Sequence, residues 1–132
     1  MILRKYMARL GIGSAKIDLK LDKVIYKSGE EVKGHFHVKG GTIDQQLKRI
    51  DCDFVKSYVK NGSNKEEKVI DNVTIFTTKN IESDVVSKIP FTFLLPESIE
   101  INDDFTYRFK SRLTFSQGVE SFDFDDIQII EN

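Results

Sequence analysis

Two histidines, His35 and His37, are the residues best suited to metal chemistry, and they are the only histidines in the chain. Side chains two positions apart in a strand lie on one face, so both imidazoles can reach a single ion. A zinc site needs further protein ligands, and no flanking Cys or His supplies them. We therefore expect two exposed strand residues and no cofactor, with a metal-binding or small-ligand site at His35 and His37 as the alternative.

Three carboxylates near the C-terminus, Asp123, Asp125 and Asp126, lie close to Gln128 and offer oxygen ligands of the kind that calcium takes. Their spacing is not that of an EF-hand loop, because Phe124 interrupts the run and no loop glycine follows. We interpret the run as a solvated face of a strand.

A row of cations, Arg108, Lys110 and Arg112, alternates with the apolar residues of the segment from Phe105 to Phe115. Alternation places the cations on the outer face of a strand whose inner face is apolar. Such a row can accept an acidic partner or phosphates, and it can equally be a soluble sheet surface or a protected edge. Arg108, Lys110 and Arg112 are the candidate partner-binding residues.

Arrangements typical of enzymes are missing from the sequence. There is no Gly-rich phosphate loop and no Gly-x-Ser-x-Gly elbow. Cys52, the single cysteine, falls in the apolar phase of a strand, which favours a core residue over a nucleophile. We predict that the chain is not an enzyme. A single cysteine also excludes an intramolecular disulfide, which suits a reducing, cytoplasmic compartment.

Composition predicts one soluble domain over residues 1–132, because 39% of the residues are hydrophobic and 31% are charged. The net charge of −1 gives no bulk attraction to nucleic acid. No apolar run is long enough to span a bilayer. The expected partner is an unidentified protein, and a homodimer through a sheet edge is the alternative.

The first residues predict the only helix. Apolar residues recur at the spacing of one helical face: Leu3, Tyr6, Met7 and Leu10. Gly11 and Gly13 end this pattern. We expect residues 1–13 to form a short helix that packs on the sheets. We do not expect it to contact a membrane surface, because its apolar stripe from Leu3 to Leu10 is under three turns long.

From Gly13 onwards the hydrophobic period is two, which predicts seven or eight strands in an all-β, antiparallel, immunoglobulin-like sandwich. Pro90 should lie at a strand start, an edge or a bulge, because it cannot donate to a ladder. A bulge near Lys48–Arg49 would bring the apolar residues of that strand back into phase. The apolar positions that mark the last strand are Phe122, Phe124, Ile127 and Ile129.

Segments along most of the chain carry a resemblance to a known family, among them Leu10-Gly-Ile-Gly-Ser-Ala-Lys-Ile-Asp-Leu19, Tyr26-Lys-Ser-Gly-Glu-Glu-Val32, Val38-Lys-Gly-Gly41, Ile89-Pro-Phe-Thr-Phe-Leu-Leu-Pro96 and Asp125-Asp-Ile-Gln-Ile129. In order and spacing they resemble the bacterial sporulation-control family called Spo-zero-M, of the arrestin-like superfamily. Ser28 stands where the family usually has Pro. The chain resembles the amino-terminal one of the family's two sandwich domains.

The resemblance implies an arrestin-like sandwich that regulates sporulation or stress through protein interactions, and it transfers no site residues. Its glycines have physical interpretations of their own. Gly29 can adopt a positive φ in a tight turn, and Gly34 marks a strand position that another backbone or a large ring approaches. A self-associating structural sandwich is the alternative function.

Overall fold

The computed structural model describes residues 14–60, 62, 64–118 and 120–132, and the predicted helix over residues 1–13 lies outside them. The described residues form no helix and nine strands: β1 (Lys16–Leu21), β2 (Ile25–Lys27), β3 (Glu31–Lys39), β4 (Gln45–Lys60), β5 (Asn64–Phe76), β6 (Asn80–Ile81), β7 (Val86–Leu94), β8 (Phe105–Phe115) and β9 (Glu120–Ile130). The all-β prediction is confirmed. The strand count exceeds the predicted seven or eight because β2 and β6 are too short to show alternation.

The strands form two sheets. The first has the order β1-β3-β7, and the second has the order β2-β9-β8-β4-β5, with β6 paired to β4. The pairs are antiparallel except for β2 with β9, which run parallel, so the antiparallel prediction is corrected at that edge. The chain leaves β1 of the first sheet and continues into the second sheet, where β2 lies beside the end of β9.

An aromatic core joins the two sheets. The ring of Phe109 on β8 lies 5.5 Å from that of Phe91 and 5.4 Å from that of Phe93, both on β7. Phe54 on β4 lies 5.2 Å from Phe93. Tilted and edge-on pairs at these separations stabilise a core beyond the burial of their area. The alternation that predicted the inner face of β8 is therefore confirmed.

Two local predictions about strand irregularities are also confirmed. The register between β4 and β8 shifts between Leu47 and Arg49, which is the predicted bulge. Pro90 lies in β7, an edge strand of the first sheet, where its missing N–H costs no interior ladder bond.

Close packing of backbone explains two glycines. A Cβ on Gly34 would lie 2.2 Å from the carbonyl oxygen of Lys20 on β1, so the predicted close approach of another backbone is confirmed. A Cβ on Gly40 would lie 1.8 Å from the carbonyl oxygen of Glu82. Gly29 has a φ of 77° in the turn after β2, as expected.

Candidate functional site

The cationic row of β8 lies where alternation predicted it, on the outer face of the second sheet and half-buried. Each cation pairs with a carboxylate on another strand of the second sheet. Arg108 lies 3.1 Å from Asp126 of β9, and Arg112 lies 3.3 Å from Asp51 of β4. Lys110 pairs with Glu67 on β5. The row is therefore held in place by acidic neighbours and presents little net charge.

Asp51 is the most connected of these carboxylates. It accepts hydrogen bonds from Thr74 Oγ1 at 2.8 Å, Arg49 Nε at 2.9 Å and Arg112 Nη2 at 3.3 Å. Burial acts to raise the pKa of Asp51, but the hydrogen bonds from Thr74 and Arg112 and the charge of Arg49 outweigh it and hold the pKa below its usual value. The centre of the outer face is thus a fixed, ionised network.

Two phenylalanines border this network. Phe122 is 56% exposed and Phe124 is 57% exposed, although large apolar side chains usually point inwards. Register places Phe124 opposite Lys110 and Phe122 opposite Arg112. Lys110 Nζ lies 5.6 Å from the centre of the Phe124 ring, within cation–π range. A shallow cleft of about 310 Å³ separates the rings from Asp53 on β4.

Sequence reasoning did not find this apolar patch. It treated Phe122 and Phe124 as equivalent to Ile127 and Ile129, although the two pairs have opposite parity and cannot share a face of an unbulged strand. Pairing with β8 settles the phase: Ile127 and Ile129 are buried, and the phenylalanines face outwards. The difference in parity between the two pairs was the sequence signal that the phenylalanines face outwards.

The same phase brings Asp123 and Asp125 to the inner side of β9, where they meet Asp18 of β1. Their oxygens all lie within 4.8 Å of one another. The backbone N–H of Leu19 donates to Asp123 Oδ2 at 2.8 Å, which ties the edge of the first sheet to the second. The interpretation as a solvated face is wrong for Asp123 and Asp125, and it holds for the exposed Asp126.

Asp125 is the perturbed member of the cluster. Burial first, and then its hydrogen bond with Asp123 and the charges of Asp123 and Asp18, raise the pKa of Asp125 to about 8. Its Oδ2 is buried without a hydrogen-bond partner among the described residues. A proton on Asp125 removes one of the negative charges that would attract a cation such as calcium. The arrangement therefore holds a proton near neutral pH.

The two histidines are not members of this cluster, although His37 lies opposite one of its aspartates, Asp18. They lie on β3, where His35 faces Lys20 and Pro90 on its neighbouring strands and His37 faces Asp18 and Lys88. His35 is exposed and His37 is half-buried. Within the described part of the chain, the aspartate cluster is the only group of three or more residues spaced as metal ligands, and it includes neither histidine. The metal site at His35 and His37 stays an alternative to the prediction of two exposed strand residues.

Cys52 is a buried core residue, as predicted. Burial raises the pKa of its thiol to about 12, and Ser111 Oγ lies 3.7 Å from the sulfur. The thiolate is the nucleophilic form, so this cysteine is unreactive at neutral pH. As for membranes, no helix in the described ranges has the length and hydropathy required to cross a bilayer.

Comparison with known proteins gives a consistent set of relatives. Sporulation-control protein Spo0M of Bacillus subtilis is 38% identical over 96 residues, which make up 70% of this chain and 37% of that protein. The crystal structure of B. subtilis Spo0M superposes with a TM-score of 0.79 at 32% identity, over 89% of this chain and 50% of that chain.

A DUF4466 family protein from Parabacteroides merdae superposes with a TM-score of 0.57 at 9% identity, over 87% of this chain and 45% of that chain, which shows similarity of fold alone. The chain thus spans half or less of the length of the Spo0M proteins that it matches. The family described as SpoOM protein matches residues 3–132. The chain belongs to the Spo0M family of sporulation-control proteins.

Proposed function

We propose that residues 1–132 form one arrestin-like, immunoglobulin-like sandwich domain that works in the cytoplasm as a non-enzymatic interaction module of sporulation control. Family membership supports the regulatory role, since the curated relative is named for sporulation control. The domain binds a protein partner through the outer face of β8 and β9, the surface formed by Phe122, Phe124, Lys110 and Arg112.

One observation carries this proposal: two exposed phenylalanines lie directly opposite two positioned cations. Burial of a phenylalanine side chain against a partner stabilises a complex by about 1.5–3 kcal/mol. Aromatic side chains and arginine are enriched where binding energy concentrates in interfaces. Phe122 and Arg112 supply both kinds of contact side by side.

The charges of this surface indicate the class of partner. Arg108, Lys110 and Arg112 each face a carboxylate, so the surface does not attract a polyanion such as nucleic acid through net charge. An apolar strip with hydrogen-bonding groups at its margins matches the surface better. A folded protein or an amphipathic segment offers that combination, and electrostatic complementarity then sets specificity.

The test compares capture of partners by three forms of the chain from a lysate of the native host. Wild type should retain a specific protein that the Phe122→Ser/Phe124→Ser double variant loses. A Leu94→Ser variant is the matched control, because Leu94 is 67% exposed on β7 of the other sheet. The control should capture the same protein as wild type.

A photo-crosslinking residue at position 124 should then join this same protein covalently to the chain. Equal capture by wild type, the double variant and the control would refute the assignment of the binding surface. Melting curves for all three forms establish that the loss is not caused by unfolding.

A further inference from the structure

The outer face of the first sheet is strongly cationic. The outward positions of β1, β3 and β7 hold five exposed lysines: Lys16, Lys20, Lys33, Lys39 and Lys88. Asp18 and Glu31 are the two acidic residues at these positions, so the face has a net charge of +3 with His35 and His37 neutral. The whole chain has a net charge of −1, which leaves −4 for all other residues. The charge of the domain is therefore polarised towards this face.

Strand pairing brings three of these lysines together at one end of the sheet. Lys16 of β1 lies directly opposite Lys39 of β3. Val86 of β7 lies on the other side of Lys39, and Lys88, two positions further along β7, is its diagonal neighbour. Like charges that face each other across strands destabilise a sheet. An anion bound on this face would remove that repulsion.

These same three lysines form no ion pair within the described part of the chain. The other two lysines of the face do: Lys20 pairs with Asp18 at 2.8 Å, and Lys33 pairs with Glu31 at 3.4 Å. The cationic row of β8 differs, because each of its cations pairs with a carboxylate. The positive charge of the first sheet is thus available to a ligand, whereas that of the second sheet is neutralised.

The types of side chain on this face favour an anionic lipid surface over other polyanions. Apart from the histidines, its cations are all lysines, which act as hydrated point charges, whereas the fork of arginine suits bidentate pairing with a single phosphate or carboxylate. No outward position carries Phe, Tyr or Trp, on which a nucleobase could stack, and the described residues form no helix that could enter a DNA groove. Lysine is also depleted from the cores of protein interfaces.

Two exposed apolar side chains on the same face fit a lipid surface as well. Val86 and Leu94, at the two ends of the edge strand β7, are 50% and 67% exposed. Apolar side chains beside cations enter the boundary between headgroups and acyl chains, while the cations contact the anionic headgroups. The combination of lysines and apolar residues is therefore suited to the surface of a bilayer.

We propose that the domain binds the anionic surface of a lipid bilayer through the outer face of its first sheet. The outer faces of a sandwich point in opposite directions, because the sheets pack through their inner faces at contacts such as Phe91 with Phe109. A domain that lies with its first sheet on the bilayer presents Phe122 and Phe124 of the second sheet away from it. The membrane contact therefore leaves the proposed partner surface free and brings a bound partner to the membrane.

Co-sedimentation of the chain with lipid vesicles tests the proposal. Wild type should bind vesicles of phosphatidylcholine mixed with phosphatidylglycerol at low salt, should bind them less at high salt, and should not bind phosphatidylcholine alone. Lys39→Glu/Lys88→Glu changes the net charge of the face from +3 to −1. It should weaken binding at least about tenfold, because each lysine near an anionic leaflet strengthens binding roughly fivefold.

Lys65→Glu/Lys68→Glu is the matched control, because it changes the net charge of the chain equally at exposed positions on β5 of the second sheet. It should bind the vesicles as wild type does. Glu31→Lys raises the net charge of the first-sheet face to +5 and should tighten binding roughly tenfold. Unfolding of a variant would not produce this gain.

A polarity-sensitive fluorophore tests the orientation on the bilayer. Thr92→Cys places the label at an exposed position of the first-sheet face, and Gln128→Cys places it at an exposed position of the second sheet. Cys52 is buried, so the introduced cysteine is the one that reacts. The label at position 92 should shift to the blue on anionic vesicles, and the label at position 128 should not.

Three results would overturn the proposal. The first is wild type that does not bind phosphatidylglycerol vesicles at low salt, and the second is equal weakening by the two double-lysine variants. The third is tighter binding to duplex DNA, or to an acidic host protein, that the Lys39→Glu/Lys88→Glu variant loses, since the face would then have another ligand. None of these results tests the capture of a partner through Phe122 and Phe124, because the substitutions lie outside that surface.

Discussion

β8 and β9 are neighbouring strands with the same kind of alternation, yet over half their length they present opposite chemistry to the two faces of the sheet. β8 turns Phe109 and Leu113 inwards and its cations outwards. The first part of β9 turns Asp123 and Asp125 inwards and its phenylalanines outwards. Alternation therefore establishes that a segment is a strand without establishing which set of residues is buried.

The two strands also join the sheets by different forces. Beneath β8 the sheets meet through aromatic rings, with no ionisable group among Phe54, Phe91 and Phe109. Beneath β9 they meet through a carboxylate cluster and the hydrogen bond from Leu19 to Asp123. One contact is apolar and insensitive to pH, and the other is polar and depends on a proton. Three predictions follow from this difference.

The largest effect should come from a matched pair of truncations. Phe109→Ala should lower the free energy of unfolding by about 3–5 kcal/mol, because it opens a cavity in the aromatic core. Phe124→Ala should change it by less than about 0.5 kcal/mol, because the ring is exposed. Urea denaturation of both variants measures the difference, and comparable losses would show that the inverted phase of β9 is wrong.

The next effect is a pH dependence of the free energy of unfolding that Asp125 causes. Its pKa in the folded chain is about 8, while an unfolded aspartate titrates near ~3.9. Between these values the native state holds a proton that the unfolded state has released, so the free energy of unfolding falls as pH rises. The stabilisation is complete below the unfolded pKa and is lost as pH passes about 8. Because solvent screens the partly exposed cluster, we expect the free energy of unfolding to fall by about 1–2 kcal/mol over this pH range.

Asp125→Asn isolates this contribution, because an amide keeps a donor for Asp123 and cannot ionise. Unfolding is measured for both proteins at pH 5 and pH 9, and the change in wild type is compared with the change in the variant. Asp18, Asp123 and Lys20 also face Asp125, and all three are present in both proteins. Wild type should lose more stability at pH 9. An equal loss in both proteins would mean that Asp125 is ionised in the folded chain.

The smallest effect belongs to the cationic row. Arg112→Ala should lower the free energy of unfolding by only about 0.5–1 kcal/mol, because its ion pair with Asp51 is partly exposed and Asp51 keeps its hydrogen bonds from Arg49 and Thr74. Thermal melts at low and high salt measure this change in stability, and Lys88→Ala on the other sheet is the control. A loss of several kcal/mol would place Arg112 in the structural core instead of on a binding surface.

Much of the fold was predictable because its signals are local. The inner face of β8, the buried Cys52 and the bulge near Arg49 all follow from counting alternate positions. The missing N–H of Pro90 alone restricted it to a strand start, an edge or a bulge, and it lies in an edge strand. The site was predictable in part: the cationic row lies on the expected face, but the carboxylates that neutralise it come from three other strands.

The sequence by itself determined the longer strands, the turn at Gly29 and the membership of a family, because these depend on residue types at short spacing. Tertiary structure alone decided which face of β9 is buried, because that choice depends on its register with β8 and on the edge of β1 beside it.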